Sequence, residues 1–250
     1  MKHIIFILAC CLLVTSCAKK IIIPKNFKYN EISAGEYKLA CLQKVTDRKS
    51  PIRIYIEGDG NAFNGYGFPT DDPTPKGTFL RRIVFNDPNK NVVYLARPWQ
   101  FIKDKDKKKN QTDWTTGRFR QKIINSTARA VKEIAKNNSV ILIGYSGGAL
   151  LSGLVIKQNS DIKIKKWITI AGVLNHTKWT EKLKLPPLKN SVDLDILPNV
   201  KQIHLAGQKD KIVPAELTKE IVKKENLIIV PKASHNKGFE DYLDVIYDNM

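Results

Sequence analysis

Residues 140–149 read Val-Ile-Leu-Ile-Gly-Tyr-Ser-Gly-Gly-Ala. The apolar run predicts a buried strand, and the residues from Ala149 onward favour a helix. Between them lies a Gly-x-Ser-x-Gly turn, which holds Ser146 in a strained conformation at the top of a sheet. Side chains at Gly144 or Gly148 would collide with the adjacent backbone, so small residues are needed there. Ser146 is therefore a candidate nucleophile, and a plain glycine-rich turn is the alternative.

Apolar runs and helical patterns alternate along most of the chain. The runs that predict mostly buried strands are 52–56, 92–95, 140–143, 167–170, 202–206 and 227–230. Helical patterns lie at 119–135, 149–157, 215–223 and 239–247. This alternation predicts an α/β fold, doubly wound, with a mostly parallel sheet flanked by helices on both faces. Functional groups of such sheets lie just past the carboxyl ends of the strands.

Two polar residues follow predicted strands and are candidates to act with the serine. Asp210 comes after the run 202–206, and His235 comes after 227–230. With Ser146 they occur in the order Ser, Asp, His, on loops that leave the same edge of one sheet.

Four other residues compete for these two positions. His204 lies within a predicted strand and His176 within a predicted cap, so structural roles are favoured for both. Asp193 and Asp195 precede a strand, which places them at the wrong edge of the sheet.

The loop 57–63, Glu-Gly-Asp-Gly-Asn-Ala-Phe, follows the first of these strands. Its glycines let the backbone turn sharply, so that amide groups point above Ser146. The amides of Gly147 and of either Asp59 or Gly60 would then form an oxyanion hole, in which one donor contributes about 3 kcal/mol. A plain turn is one alternative. A carboxylate metal site is another, built from Glu57, Asp59, Asp71 and Asp72.

Three motifs together resemble the α/β-hydrolase superfamily over most of the chain. They are the Gly-Tyr-Ser-Gly-Gly elbow at 144–148, the Gly-x-x-Asp-x-x-Val-Pro segment at 207–214, and the Ser-His pair that ends at His235. The resemblance implies that Ser146 attacks a carbonyl carbon while His235 acts as general base and then acid. It also implies that Asp210 orients and stabilises the imidazolium. This chemistry requires no metal and no cofactor.

The same layout suggests where a substrate would bind. Tyr145, Arg97 and Trp114 lie beside the expected pocket and are candidate substrate contacts, although for Arg97 a structural role that ties loops together is favoured. The segment 174–198 occupies the place of the superfamily's lid and is short, so we expect a small cap and an open site. An open site favours soluble or modest-sized acyl substrates.

The start of the chain predicts export. Lys2 precedes an apolar stretch that is too short to span a bilayer, so residues 1–16 are interpreted as a signal peptide. The sequence Val-Thr-Ser-Cys ending at Cys17 resembles the bacterial lipobox, which implies lipidation of Cys17 and a membrane partner through that lipid. Ordinary cleavage with an incidental Cys17 is the alternative. Ala18 follows the cysteine, which by resemblance to diderm lipoproteins favours the outer membrane of the cell envelope.

The expected mature protein is one globular unit on a tether. The tether is predicted over 17–30 and the hydrolase domain over 31–250, although the isoleucines at 21–23 could instead form a docking strand. Only Cys41 lies in the folded part, so no intramolecular disulfide can form and a packed core must supply stability. We expect a monomer.

The formal net charge of +18 raises the question of nucleic-acid binding. No basic groove rich in aromatic residues accompanies it, and an export signal takes the chain away from nucleic acid, so that partner is not predicted. The lysine run at 103–109 is interpreted as a solvated loop, with attraction to an anionic membrane as the alternative.

Two function classes follow. The first is a lipid-anchored serine hydrolase of carboxylic esters with a small-molecule acyl substrate, and peptidase or thioesterase chemistry is possible with the same residues. The second is a non-catalytic envelope-binding protein on a hydrolase fold. A scaffold has no need for Ser, Asp and His at three converging strand ends, which favours the enzyme.

Overall fold

The computed structural model describes residues 22–247, so the predicted signal peptide and Cys17 lie outside the described residues. The strands are β1 (Lys28–Ala34), β2 (Tyr37–Val45), β3 (Ile52–Ile56), β4 (Asn91–Leu95), β5 (Val140–Tyr145), β6 (Ile164–Ile170), β7 (Gln202–Gly207) and β8 (Leu227–Val230). The α-helices are α1 (Phe79–Asn86), α2 (Gln121–Ala135), α3 (Gly147–Gln158), α4 (His176–Lys182), α5 (Ala215–Ile221) and α6 (Asp244–Tyr247). Short 3-10 helices cover Lys107–Trp114, Lys224–Asn226 and Glu240–Tyr242.

All eight strands form one sheet in the order β1-β2-β4-β3-β5-β6-β7-β8. The pairs from β4 to β8 are parallel, whereas β1 with β2 and β2 with β4 are antiparallel. The six predicted strands are β3 to β8, and the predicted mostly parallel α/β sheet is confirmed.

Helices cover both faces of the sheet, as the doubly wound prediction requires. One core layer joins the sheet to α2 and α3, and it includes Val131, Leu154 and the fully buried Trp167. The other joins the sheet to α1 and α6, with Leu80 and Ile246 among its members. Every residue of β3 and β4 is buried, because these strands have a helical layer on each side.

The antiparallel pair β1 and β2 was not among the predicted strands. β1 lies at the sheet edge, and only two of its seven residues are buried, Ile32 and Ala34. Residues 28–30 of the predicted tether belong to this strand, and Phe27 is already buried. Ile22 and Ile23 are not part of a strand.

The segment 174–198 contains α4 and otherwise irregular backbone. Its Leu188 and Leu194 are buried in the core, and Trp179 Nε1 donates to the Ile212 carbonyl at 2.7 Å. The segment is therefore packed against the body of the domain.

The lysine run differs from a uniformly solvated loop. Lys107 is buried and pairs with Asp72 at 3.1 Å, while Lys108 pairs with Asp71 and Lys109 with Asp106 at the surface. Within residues 22–247, no helix is long and apolar enough to cross a bilayer.

Candidate active site

Ser146 occupies the turn between β5 and α3 with φ 52° and ψ −124°, a conformation that L-residues rarely adopt. A Cβ at Gly144 would lie 2.5 Å from the Gly148 carbonyl oxygen, and one at Gly148 would overlap the Ile56 carbonyl oxygen. Only glycine fits at these two positions, which is the steric requirement that the sequence predicts. The serine therefore stands at the carboxyl end of a central strand with its side chain free to reach a neighbour.

Three predicted residues meet at this edge and form one line of hydrogen bonds. His235 Nε2 lies 2.9 Å from Ser146 Oγ, and His235 Nδ1 lies 2.8 Å from Asp210 Oδ2. We call these three residues the Ser146 group. Ser146 and His235 are partly exposed, whereas Asp210 is buried, so solvent reaches the serine end of the line.

The turn after β7 fixes the Asp210 carboxylate. Its Oδ1 accepts the backbone amides of Ile212 and Val213, both at 2.9 Å. Because these two donors occupy Oδ1, Oδ2 is oriented toward the imidazole. An acceptor at Oδ2 makes Nδ1 the protonated nitrogen of a neutral His235 and leaves Nε2 free to accept the serine proton.

The loop after β3 comes close to the serine. A Cβ at Gly58 would lie 3.0 Å from Ser146 Cβ, so this position requires a small residue. The Gly58 amide donates to Glu57 Oε1 at 2.9 Å and is already used. The amides of Asp59 and Gly147 donate to no other group within residues 22–247.

Asp59 and Gly60 were both predicted as the second oxyanion donor, and their surroundings differ. A Cβ at Gly147 would overlap the Asp59 carboxylate, so Asp59 lies against the start of α3. Gly60, at φ +67°, instead faces the Pro73 carbonyl and Gln100. The arrangement favours Asp59 over Gly60 as the partner of Gly147.

Two arginines hold the Asp59 side chain. Arg97 Nη1 donates to Asp59 Oδ1 and Arg118 Nη1 donates to Oδ2, and we call these three residues the Asp59 cluster. Burial alone raises the pKa of the Asp59 carboxyl, but the two guanidinium groups outweigh burial and hold that pKa below its usual value. The carboxylate is therefore ionised, and it anchors the loop beside Ser146.

Further contacts fix the two arginines and the loop. Arg97 Nη2 donates to the Arg118 carbonyl, and Arg97 Cζ lies 4.9 Å from the centre of the Phe119 ring. Gln100 Nε2 donates to the Gly58 carbonyl at 2.9 Å, which ties the loop after β3 to the loop after β4.

The profile of the serine hydrolase (FSH1) family matches residues 83–231, which is more than half of the chain and includes Ser146 and Asp210. The chain belongs to the FSH1 serine hydrolase family. It is a serine hydrolase, which overturns the non-catalytic alternative. No curated protein sequence matches this FSH1-family chain at a significant level.

Solved structures of α/β hydrolases share the fold of this FSH1-family protein. A serine hydrolase involved in carbazole degradation is 14% identical, with a TM-score of 0.58, over 89% of this chain and 98% of its own. A proline iminopeptidase-related protein from Thermus thermophilus is 12% identical, with a TM-score of 0.59, over 89% and 95%. An esterase from Pyrococcus furiosus is 16% identical, with a TM-score of 0.51, over 89% and 90%. At these identities the likeness concerns the fold alone.

The structure of the FSH1-family hydrolase places the three candidate substrate contacts differently. The Tyr145 hydroxyl donates to the His235 carbonyl at 3.2 Å, and its ring packs against the His235 ring at 5.3 Å. Arg97 is buried in the Asp59 cluster, which agrees with the loop-tying alternative. Trp114 is buried and donates to the Thr70 carbonyl at 3.2 Å. Of the three, only Tyr145 touches the Ser146 group.

The two histidines that compete with His235, His204 and His176, are both buried in the fold. His204 is fully buried between Thr169 Oγ1 at 2.8 Å and Gln202 Oε1 at 2.9 Å, and burial lowers its pKa to about 3. His176 is buried and stacks on Phe119. Neither ring reaches the Ser146 group.

The competing aspartates also lie elsewhere. Asp193 accepts the backbone amides of His176 and Thr177 at the start of α4, at 2.8 and 2.9 Å. Asp195 is exposed. The expectation that both lie away from the serine agrees with this placement.

The carboxylates of the alternative metal site are each engaged with other groups. Asp59 pairs with arginines, Asp71 and Asp72 pair with lysines, and Glu57 accepts from Tyr94 at 2.8 Å. In the described part of the chain, no three His, Cys, Asp or Glu side chains are arranged to hold a metal ion.

The pairing of Asp59 with Arg118 and the support from Glu57, Tyr94 and Gln100 were not predicted from the sequence. The only signal was the concentration of polar residues just past β3 and β4. Two adjacent strands of a parallel sheet bring such residues together at one edge. The sequence gives no indication of which charges pair.

Proposed function

We propose that this protein hydrolyses carboxylic esters of modest-sized acyl groups through an acyl-enzyme on Ser146, with His235 as general base and then acid and Asp210 as its orienting carboxylate. The observation that carries the proposal is the unbroken line from Ser146 Oγ to Asp210 at 2.9 and 2.8 Å, with the serine in a strained turn. Such a line is the activated-nucleophile arrangement of acyl-transfer enzymes.

In the first step His235 Nε2 accepts the hydroxyl proton as Ser146 Oγ bonds to the carbonyl carbon. Asp210 Oδ2 stabilises the imidazolium that forms, and the imidazolium then gives its proton to the departing alkoxide. Water repeats the sequence on the acyl-enzyme and releases the acid. The amides of Gly147 and Asp59 would bind the oxyanion in both halves, because neither amide has another partner among residues 22–247 and the two residues are in contact.

An ester is favoured over a peptide because the serine is partly open and 174–198 packs against the body of the domain. An open site provides few contacts with which to hold a long chain. The substrate is therefore expected to be a short acyl ester.

The test is a panel of matched substrates that share one acyl group: a 4-nitrophenyl ester, a thioester and an anilide. The proposal predicts the highest kcat/KM for the short acyl ester, with turnover lost in Ser146→Ala and retained in Ser234→Ala. Ser234 is the matched control because it lies next to His235 and bridges Lys237 through backbone groups only. Preferential turnover of the anilide or the thioester would contradict the ester assignment and leave the nucleophile assignment standing.

The envelope location is a second part of the proposal. We propose that residues 1–16 are removed and that lipid on Cys17 anchors the domain to the outer membrane, with the segment after Cys17 as tether. Support comes from the lipobox resemblance alone. The intact mass of the mature protein and its distribution between membrane and soluble fractions test it. Cys17→Ser should shift the protein to the soluble fraction, and an unlipidated N-terminus in the parent would contradict the anchor.

A further inference from the structure

A cavity of about 270 Å³ opens on the α1 side of the sheet, beyond the residues of the Ser146 group. Its walls are largely apolar, with Ala40 and Leu42 of β2, the Tyr94 ring of β4 and Phe101. Ile23 and Tyr29 line the more exposed part. Apolar cavities of roughly 150 Å³ already admit benzene, so this one can hold a small organic molecule.

One charged side chain, Arg81 of α1, lines this cavity and is only 2% exposed. Its Nη2 donates to the Gly77 carbonyl at 2.6 Å, and Cζ lies 5.1 Å from the centre of the Phe101 ring. Its Nε and Nη1 have no hydrogen-bond partner among residues 22–247. The guanidinium is thus fixed in place with donors to spare.

Arg81 differs from the other buried arginines of the described chain. Arg53 pairs with Asp87 at 2.7 Å, and Arg97 and Arg118 both pair with Asp59. Arg81 forms no ion pair with a described carboxylate. A buried charge without a partner is costly, so a complementary anion in the cavity would stabilise the protein.

Glu57 lies close enough to interact electrostatically with Arg81, but its hydrogen bonds go to other groups. Its two oxygens accept the Gly58 amide at 2.9 Å and the Tyr94 hydroxyl at 2.8 Å. Burial raises the pKa of Glu57, although those two hydrogen bonds and the nearby arginines oppose the rise. Glu57 therefore leaves the free donors of Arg81 unoccupied.

We propose that this cavity binds a small monocarboxylate with a short alkyl chain, whose charge lies on Arg81 and whose chain lies against Ala40, Leu42 and Phe101. A single cation matches one negative charge, and the apolar walls match the chain. An inorganic anion would leave those walls unused.

The test is calorimetric titration of the full chain with hexanoate, 1-hexanol and acetate. Hexanol keeps the chain without the charge, and acetate keeps the charge without the chain. Hexanoate should bind at least about tenfold more tightly than hexanol, because hexanol lacks the charge that meets Arg81. It should also bind at least about tenfold more tightly than acetate, because acetate lacks the chain that the apolar walls would bury. Absence of hexanoate binding, or equal affinity for hexanol, would overturn the proposal.

Two variants locate the site. Arg81→Met should weaken hexanoate binding about 10- to 100-fold, and Ala40→Leu should do so by filling the cavity while Arg81 remains. Arg82→Met is the matched control, because Arg82 is the next residue of α1 and its side chain is 56% exposed. If Arg81→Met fails to fold, Ala40→Leu decides. Hexanoate binding that survives Ala40→Leu, or that Arg82→Met weakens as much as Arg81→Met, would overturn the proposal.

Discussion

The Ser146 group and the Asp59 cluster lie at the same edge of the sheet and differ in how they are held together. The Ser146 group is a line of hydrogen bonds with one buried carboxylate and a serine partly open to solvent. The Asp59 cluster is a half-buried carboxylate between two buried guanidinium groups. The first has groups that can exchange a proton. The second has fixed charges, and fixed charges suit the positioning of a loop.

The largest effect should come from breaking the Ser146 group at its nucleophile. Ser146→Ala should lower kcat for an ester by about 10⁴- to 10⁶-fold, because the attacking oxygen is gone and only binding and the oxyanion donors remain. The melting temperature should change little, because alanine keeps the Cβ and therefore the same backbone strain at φ 52°. Initial rates measure the effect on kcat, and a thermal melt measures the effect on stability. A small change in kcat would contradict the role of Ser146 as nucleophile.

Replacing Asp210, at the other end of the line of hydrogen bonds, should lower kcat almost as much. Asp210→Asn should lower kcat by about 10⁴-fold. With an amide nitrogen in place of Oδ2, the side chain no longer accepts a hydrogen bond from His235 Nδ1, and the imidazole changes tautomer. Asp193→Asn is the control, since the Asp193 carboxylate also accepts backbone amides but lies at the start of α4. Equal losses in both variants would mean that Asp210 acts only as a turn residue. The readout is kcat together with its pH profile.

Breaking the Asp59 cluster should affect both stability and rate. Asp59→Asn leaves two buried guanidinium groups without a counter-charge, which should lower the free energy of unfolding by about 3–5 kcal/mol. Displacement of the loop should also lower kcat by about 10²- to 10³-fold. Denaturant unfolding and ester turnover measure the two effects. Asp71→Asn, at an exposed aspartate that pairs with the exposed Lys108, is the control and should change neither much.

The same carboxylate has a pH signature. Since the folded-state pKa of Asp59 is lowered, its ion pairs contribute fully above its usual pKa of 3.8, and this contribution is lost as pH falls through the lowered value. Asp59→Asn should therefore remove part of the acid sensitivity of the parent below about pH 4. An unchanged acid limb would contradict the assignment.

The smallest expected effect concerns His204, whose ring bonds Thr169 and Gln202, whereas the His235 ring bonds the Asp210 carboxylate. Burial lowers the pKa of His204 from 6.5 to about 3, so its contribution is complete above pH 6.5 and declines as pH falls toward 3. Between pH 7 and 4.5 the parent should lose about 3 kcal/mol of unfolding free energy through this residue. His204→Gln should show a shallower pH dependence in urea unfolding while its kcat at pH 7 is retained. A parallel pH dependence in both proteins would contradict this.

The parallel part of the fold could be predicted from the sequence. Both faces of β3 to β8 are covered, so most positions in these strands are apolar. β1 was not predicted because an edge strand with two buried residues carries little pattern. α1, between the loop 57–63 and β4, was not predicted either, although Leu80 and Ile83 of that helix are buried.

For the site, it could be predicted that Ser146, Asp210 and His235 meet at one edge of the sheet, because chain order and strand ends can be recognised from the local sequence. The pairing of Asp59 with Arg97 and Arg118 was not predictable. It joins loops that are 38 and 59 residues apart, and several other arginines and lysines could have served. The loop-tying role favoured for Arg97 agrees with its burial beside Asp59, whereas the burial of Trp114 was not predicted.

The most direct measurement is labelling of the full chain with a fluorophosphonate probe, followed by peptide mass mapping, in the parent, His235→Ala and Ser234→Ala. A single adduct should form on the peptide that contains Ser146, and it should be lost in His235→Ala and unchanged in Ser234→Ala. A folded parent that takes no label, or an adduct on a different serine, would contradict the claim that Ser146 is the activated nucleophile.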